Sequence, residues 1–171
     1  EIEERFLREH ALADESPNVV RAALVRLGDD EAWRTHLSGK RGWVYAEKAP
    51  IAVLDEVIAA RGPGLLHDPR WAMVALRRGV LSARDAMDHH DDGVRLVAAR
   101  TTRDEATLEL AAKDEFLDVA LAAGERTMNA VTLKSVLQRA REANVPNSTR
   151  ALMRCEERAQ SLELAELVLT C

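Results

Sequence analysis

Apolar residues in this chain fall three and four positions apart in short runs. The runs themselves return with a period of roughly 22 to 24 residues, the spacing of a stacked helical array. Leu65 to Gly79 (LLHDPRWAMVALRRG) aligns without gaps over Leu110 to Gly124 (LAAKDEFLDVALAAG), and Met87 to Thr101 (MDHHDDGVRLVAART) lies between them in the same register. In such an array one unit cannot bury its own apolar face, so its neighbours bury it. The register extends back to Ser16–Leu24 and forward to Pro146–Met153. Proline opens three of the units, at Pro17, Pro69 and Pro146. The first helical position tolerates proline because its missing N–H has no partner there, and Ser16 and Asp68 just before it are good N-caps. Helix starts are therefore expected at 17, 69, 91, 114 and 146. One inward face should carry Val20/Ala23/Leu24, Ala72/Ala75/Leu76, Val94/Val97/Ala98, Leu117/Ala120/Leu121 and Thr149/Leu152/Met153.

About a dozen residues separate these helices, so the second helix of each unit must be short, around Leu81 to Met87 and again within Thr102 to Leu110. Thr102 and Glu105 have capping-box spacing. A longer instance, Val131 to Ala140, places Leu133, Val136, Leu137 and Ala140 on one side. Residues 28–64 break the pattern. A degenerate unit is expected around Trp43 to Ile58, with Pro50 opening an Ile51-Leu54-Val57-Ile58 face, and Gly62-Pro63-Gly64 reads as a breaker, either a loop insertion or a bend. A leucine-rich last helix is expected over about 160–171, with Leu162, Leu164, Leu167 and Leu169, either tucked onto the last repeat or forming an interface.

Asp91-Asp92-Gly93-Val94-Arg95, followed by a small-apolar helix and then Leu108 and Ala111, resembles the leucine-rich repeat variant family, a short relative in style of HEAT and armadillo arrays. The resemblance covers about 65–124 well and the ends loosely. It implies an all-α fold, an αα-superhelix (solenoid) of alternating short and longer helices in about five to six repeats, with the longer helices inside, built for macromolecular contacts. Some members carry an iron–sulfur cluster on a cysteine-rich segment. This chain has no such segment, so no cofactor is expected.

Length and composition fit one helical-repeat domain spanning 1–171. Apolar residues are 47% of the chain but aromatics only 4%, the alanine- and leucine-rich mix of helices packed closely on helices. A net charge of −5 argues against a generally basic nucleic-acid coat and gives no reason to expect anionic lipid. Cys155 and Cys171 cannot build a disulfide framework, and no spacing matches zinc, so a reducing cytoplasm is the default. No apolar stretch approaches a membrane span, and the acidic, amphipathic start EIEERFLREH does not read as a signal peptide. The chain opens on Glu1 and not Met, which suits a fragment whose neighbour carries an activity.

Candidate chemistry lies in repeat columns more than in motifs. Arg21, Met73, Arg95, Asp118 and Arg150 share one column; Arg26, Arg78, Arg100, Ala123 and Cys155 share another; Arg70, Arg77 and Arg154 fall on nearby turns. Two readings stand side by side. The arginines either form a structural ladder, each paired with an acid or carbonyl of the adjacent unit, or expose a basic strip to an anionic partner. His89-His90-Asp91-Asp92 reads as a helix-start turn rather than a metal site, since neighbouring side chains diverge. Trp33, Trp43 and Trp71 read as core, with Trp43-Val44-Tyr45 also a candidate interface anchor. Cys155, among Arg150, Arg154 and Arg158, reads as an inert thiol, although those cations would favour thiolate. No phosphate loop, nucleophile elbow or metalloprotease motif occurs. The expectation is a non-enzymatic scaffold that binds another protein, an acidic segment in particular, through Arg21, Arg77, Arg78, Arg95 and Arg100. The alternative is nucleic-acid binding on the same strip.

Overall fold

The computed structural model describes residues 2–143 and 149–169, with side chains for 2–143 and 150–163. It is all-helical: among the described residues there are twelve α-helices and no strand. The chain divides into two compact units, Glu1–Val80 and Leu81–Cys171. No helix among the described residues is long and apolar enough to cross a membrane.

The first unit contains α1 (Ile2–Phe6), a wide helical turn over Leu7–Ala11, α2 (Pro17–Leu27), α3 (Asp30–Leu37), α4 (Trp43–Ala46), α5 (Ile51–Arg61), a tight 3₁₀ turn over Pro63–His67, and α6 (Pro69–Arg77). Proline opens α2 and α6 as expected. Asp68 caps α6 by accepting the Arg70 N–H at 2.9 Å, whereas the Ser16 hydroxyl makes no cap bond. The irregular stretch holds three α-helices, α3, α4 and α5. Asp29 caps α3, which turns Trp33 and Leu37 inward, and Gly62, at φ +74°, closes α5. Pro50 does open α5, but the buried face is Val53, Leu54 and Val57; Ile51, in the first turn, is exposed. These side chains join Val20, Leu24, Trp71 and Val74 in one core. Trp33 and Trp71, 2% and 3% exposed, anchor it. Truncating either would remove about 3–5 kcal/mol.

The second unit contains α7 (Ala83–Ala86), α8 (Asp92–Thr101), α9 (Glu105–Ala111), α10 (Leu117–Gly124), α11 (Ala130–Ala143) and α12 (Thr149–Leu169). Helix α10 is the hub, packed against α8, α9, α11 and α12. Its run from Val119 to Gly124 is wholly buried, and its small side chains permit close approach. A Cβ on Gly124 would stand 2.9 Å from Cys155 Sγ and 3.0 Å from Val136 Cγ1. Leu133, Val136, Leu137 and Ala140 form the inward face of α11 as the spacing predicts.

Several expectations are corrected here. Asp91 is the cap of α8, not its first residue. Helix α10 starts at Leu117 rather than 114, because the Asp114 carboxylate takes the Phe116 N–H and so holds a turn there. Thr102 and Glu105 form no capping box. Asp104 caps α9, while the Glu105 carboxylate receives the Thr127 hydroxyl and the Met128 N–H. Val97 and Leu117 are only half-buried, and in α12 Met153 is exposed while Cys155 takes the inward place. The last helix is not separate: α12 runs unbroken through Gln160. The expected start at Pro146, the side chains of Thr149, Leu164, Leu167 and Leu169, and Cys171 lie outside the described residues.

Candidate functional site

The five expected partner-binding arginines have different fates. Three belong to the first unit, Arg21, Arg77 and Arg78, and two to the second, Arg95 and Arg100. Arg95 is 7% exposed and fully committed. Its Nε and Nη2 donate to Asp114 at 2.7 and 3.2 Å, and its Nη1 donates to the His89 and His90 carbonyls. The bond to Asp114 raises the guanidinium pKa above its ordinary value. Arg78 is half-buried and donates from Nη2 to the Ala49 carbonyl at 2.7 Å. Neither is placed to meet a partner. Arg100 is exposed and has no ion pair or hydrogen bond from its side chain among the described residues.

Arg78 is one of a set. Arg61 donates to Ser38 O, Arg126 to Thr102 O at 2.8 Å, Arg139 to Ala112 O and Asp114 O at 2.7 Å each, and Arg158 to Thr127 O and Arg126 O at 2.7 and 3.1 Å. Each reaches back between 23 and 32 residues, one repeat or somewhat more, to carbonyls at or a few residues beyond a helix end. Ser38, Thr102 and Ala112 are helix C-caps, whose carbonyls lack intrahelical donors and carry the negative end of the helix dipole. A guanidinium satisfies both needs.

What remains is a groove in the first unit. Short α4 packs against α2, α3 and α6. Its entry is fixed by Gly42, where a Cβ would collide with the Leu37 carbonyl oxygen. Trp43, Val44 and Glu47 then face Arg21 on α2 and Arg70, Met73, Val74 and Arg77 on α6 across a cavity of about 330 Å³. Arg70 is locked: it forks onto Asp68 at 2.9 and 2.6 Å, and its guanidinium carbon lies 5.4 Å from the Trp43 ring centre. That fork holds the Asp68 carboxyl below the ordinary carboxylate range. Arg77 Nη1 donates to Glu47 Oε1 at 2.9 Å, in a pair whose side chains are 51% and 45% exposed. Among the described residues Arg21 donates only to the neutral Asn18 Oδ1, at 2.7 Å. Thus two expected residues, Arg21 and Arg77, meet the candidate anchor Trp43-Val44 at one place. Sequence spacing placed Arg70 near the arginine columns but gave no sign of Glu47, because α4 and α6 are brought together across the irregular stretch.

Other candidates resolve differently. A wider cleft of about 800 Å³ between α11 and α12 alternates Lys134 and Arg141 with Glu142, Glu156 and Glu163, so its charge selects no partner. Asp91 accepts the Val94 N–H, which makes His89–Asp92 the helix-start turn expected. Cys155 is buried, its thiol pushed up to about 12 chiefly by desolvation, and it donates to the Leu121 carbonyl. The nearby arginines do not activate it. Compared with models of known protein families, with curated proteins and with solved structures, the chain matches none.

Proposed function

We propose that this chain is a non-enzymatic helical-repeat scaffold, resembling the leucine-rich repeat variant and HEAT-like arrays, that binds another protein through the α2/α4/α6 groove. The observation that carries the binding role is the groove's composition. Trp, Met and Arg are enriched at protein interfaces, and Trp and Arg are concentrated where those interfaces hold most of their energy. Three arginines face one glutamate there, in a chain whose net charge is −5. The repeat reading is supported by arginines that reach back 23 to 32 residues, one period or somewhat more, to carbonyls of their own unit. The αα-superhelix and a cytoplasmic site of action belong to the same proposal. The second is supported by the free, buried Cys155.

The test is capture from source-cell extract with and without nuclease, comparing the native chain with the Arg21→Glu/Arg77→Glu variant. A set of partners that survives nuclease and is lost with the variant, while circular dichroism is unchanged, is the expected result. Capture indifferent to the variant overturns the reading, and capture abolished by nuclease transfers it to nucleic acid.

A further inference from the structure

Resting on the reading of this groove as the binding face, we infer that Glu47 occupies, in the free protein, the place of a partner's carboxylate. The occupant is a short acidic peptide segment with one large apolar side chain beside that carboxylate. The apolar side chain sits against Trp43, Val44, Met73 and Val74, and the carboxylate takes Arg77 in exchange for Glu47.

Three observations select this occupant. First, the cavity of about 330 Å³ lies at the small end of ligand pockets and has room for one or two side chains. Second, the cations differ in availability. Arg70 is held by both carboxylate oxygens of Asp68 and serves as wall, while among the described residues Arg21 has no carboxylate and Arg77 has only a half-exposed one. An exposed pair of this kind is weak, so exchanging one carboxylate for another at the same fork costs little. Third, Arg70 lies against the Trp43 ring. A guanidinium on that ring competes with a base for it, which disfavours a single-stranded nucleic acid that would need the ring for stacking.

Exchange makes a prediction that simple attraction to arginine does not single out: the protein competes with its own ligand. Removing the Glu47 charge must tighten binding, by about two- to fivefold for an exposed pair, and must do so only while Arg77 is present. The experiment is fluorescence anisotropy on the full chain with a labelled, acetylated and amidated peptide, Gly-Asp-Glu-Leu-Glu-Asp-Gly. Its controls replace leucine by alanine or all acids by lysine, and a third is a single-stranded oligonucleotide of similar length.

The leucine peptide is expected to bind best. Glu47→Gln should tighten it, Arg77→Ala should weaken it, and the double variant should lose the gain. Lys113→Ala, at an exposed site in the other unit, should change nothing. No tightening by Glu47→Gln, equal binding of the alanine or lysine peptide, binding of the oligonucleotide alone, or no binding at all overturns the inference. The two ideas fail separately. Extract capture lost in Arg21→Glu/Arg77→Glu with an unresponsive Glu47→Gln leaves the scaffold reading standing without the exchange. Peptide exchange without variant-sensitive capture leaves the exchange without the scaffold.

Discussion

Arg95 shows how completely one side chain can be absorbed by the fold. Its guanidinium is bound by Asp114 through two nitrogens and by two carbonyls of the His89-His90 turn, and it lies 5.4 Å from the Phe116 ring centre. Asp114 is equally hidden: the two side chains are 8% and 6% exposed. Removing one partner of such a pair leaves the other charge buried and uncompensated. Arg95→Ala is therefore expected to lose about 3–5 kcal/mol in urea unfolding, whereas Arg95→Met with Asp114→Leu should recover much of it. A loss no larger than that of an exposed pair would show that water reaches the site. In the sequence Arg95 was indistinguishable from Arg21, its column mate. What separates them is the turn before α10, which Asp114 holds by accepting the Phe116 N–H, and the repeat columns do not encode that turn.

At the scale of elements, two glycines set how closely helices approach. In Gly124→Ala the new Cβ meets Cys155 Sγ and Val136 Cγ1, both side-chain atoms, so α10 can shift against α11 and α12 at a cost of roughly 1–3 kcal/mol. Cys155→Ala in the same chain should return part of that by opening space. Gly42→Ala meets backbone, the Leu37 carbonyl, and cannot be relieved by a rotamer change. It should unfold at lower denaturant than Gly124→Ala and displace Trp43. The reverse order would mean that the turn before α4 is more pliable than its contacts suggest. Helices with a strong apolar stripe and a proline start were legible in the sequence. For α6 and α11 the apolar core positions were right, and the starts of α2 and α6 fell on the prolines. The irregular stretch was legible only as a failure of the repeat. Helix α3 is defined by Asp29, Trp33 and Leu37, a cap and two large side chains, where the repeat elsewhere uses alanine and leucine. The expected capping box does not form because Asp104, one residue before Glu105, takes the cap position and accepts the Thr107 N–H. The Arg21–Trp43–Arg77 groove depends on how α4 packs, so its parts were visible as residues but not as a site.

Across the whole molecule, aspartate caps tie stability to acid. Asp29 is held below the ordinary carboxylate range chiefly by Arg8, Asp68 by Arg70 and Asp104 by the Thr107 hydroxyl. In each the folded form binds its proton less readily than the unfolded chain, whose aspartates titrate near about 3.9. The stabilisation is thus complete above that range and is lost as pH falls through it and below. Melting temperature should stay level from neutral pH down to about 5 and then drop, and Asp29→Asn, Asp68→Asn and Asp104→Asn together should flatten the drop. An unchanged acid limb would place the acid sensitivity elsewhere. Lys40, Lys48, Lys113 and Lys134 are the chain's only lysines, so arginine supplies the rest of its 24 basic side chains. The arginines that reach back to helix-end carbonyls make a dissolved guanidinium salt more than a general denaturant here. It is a free copy of the group that closes those contacts and competes for the same oxygens. Urea and guanidinium chloride ordinarily differ about twofold in strength per mole. For this chain the gap should be wider, and it should shrink as Arg78, Arg126, Arg139 and Arg158 are replaced by lysine.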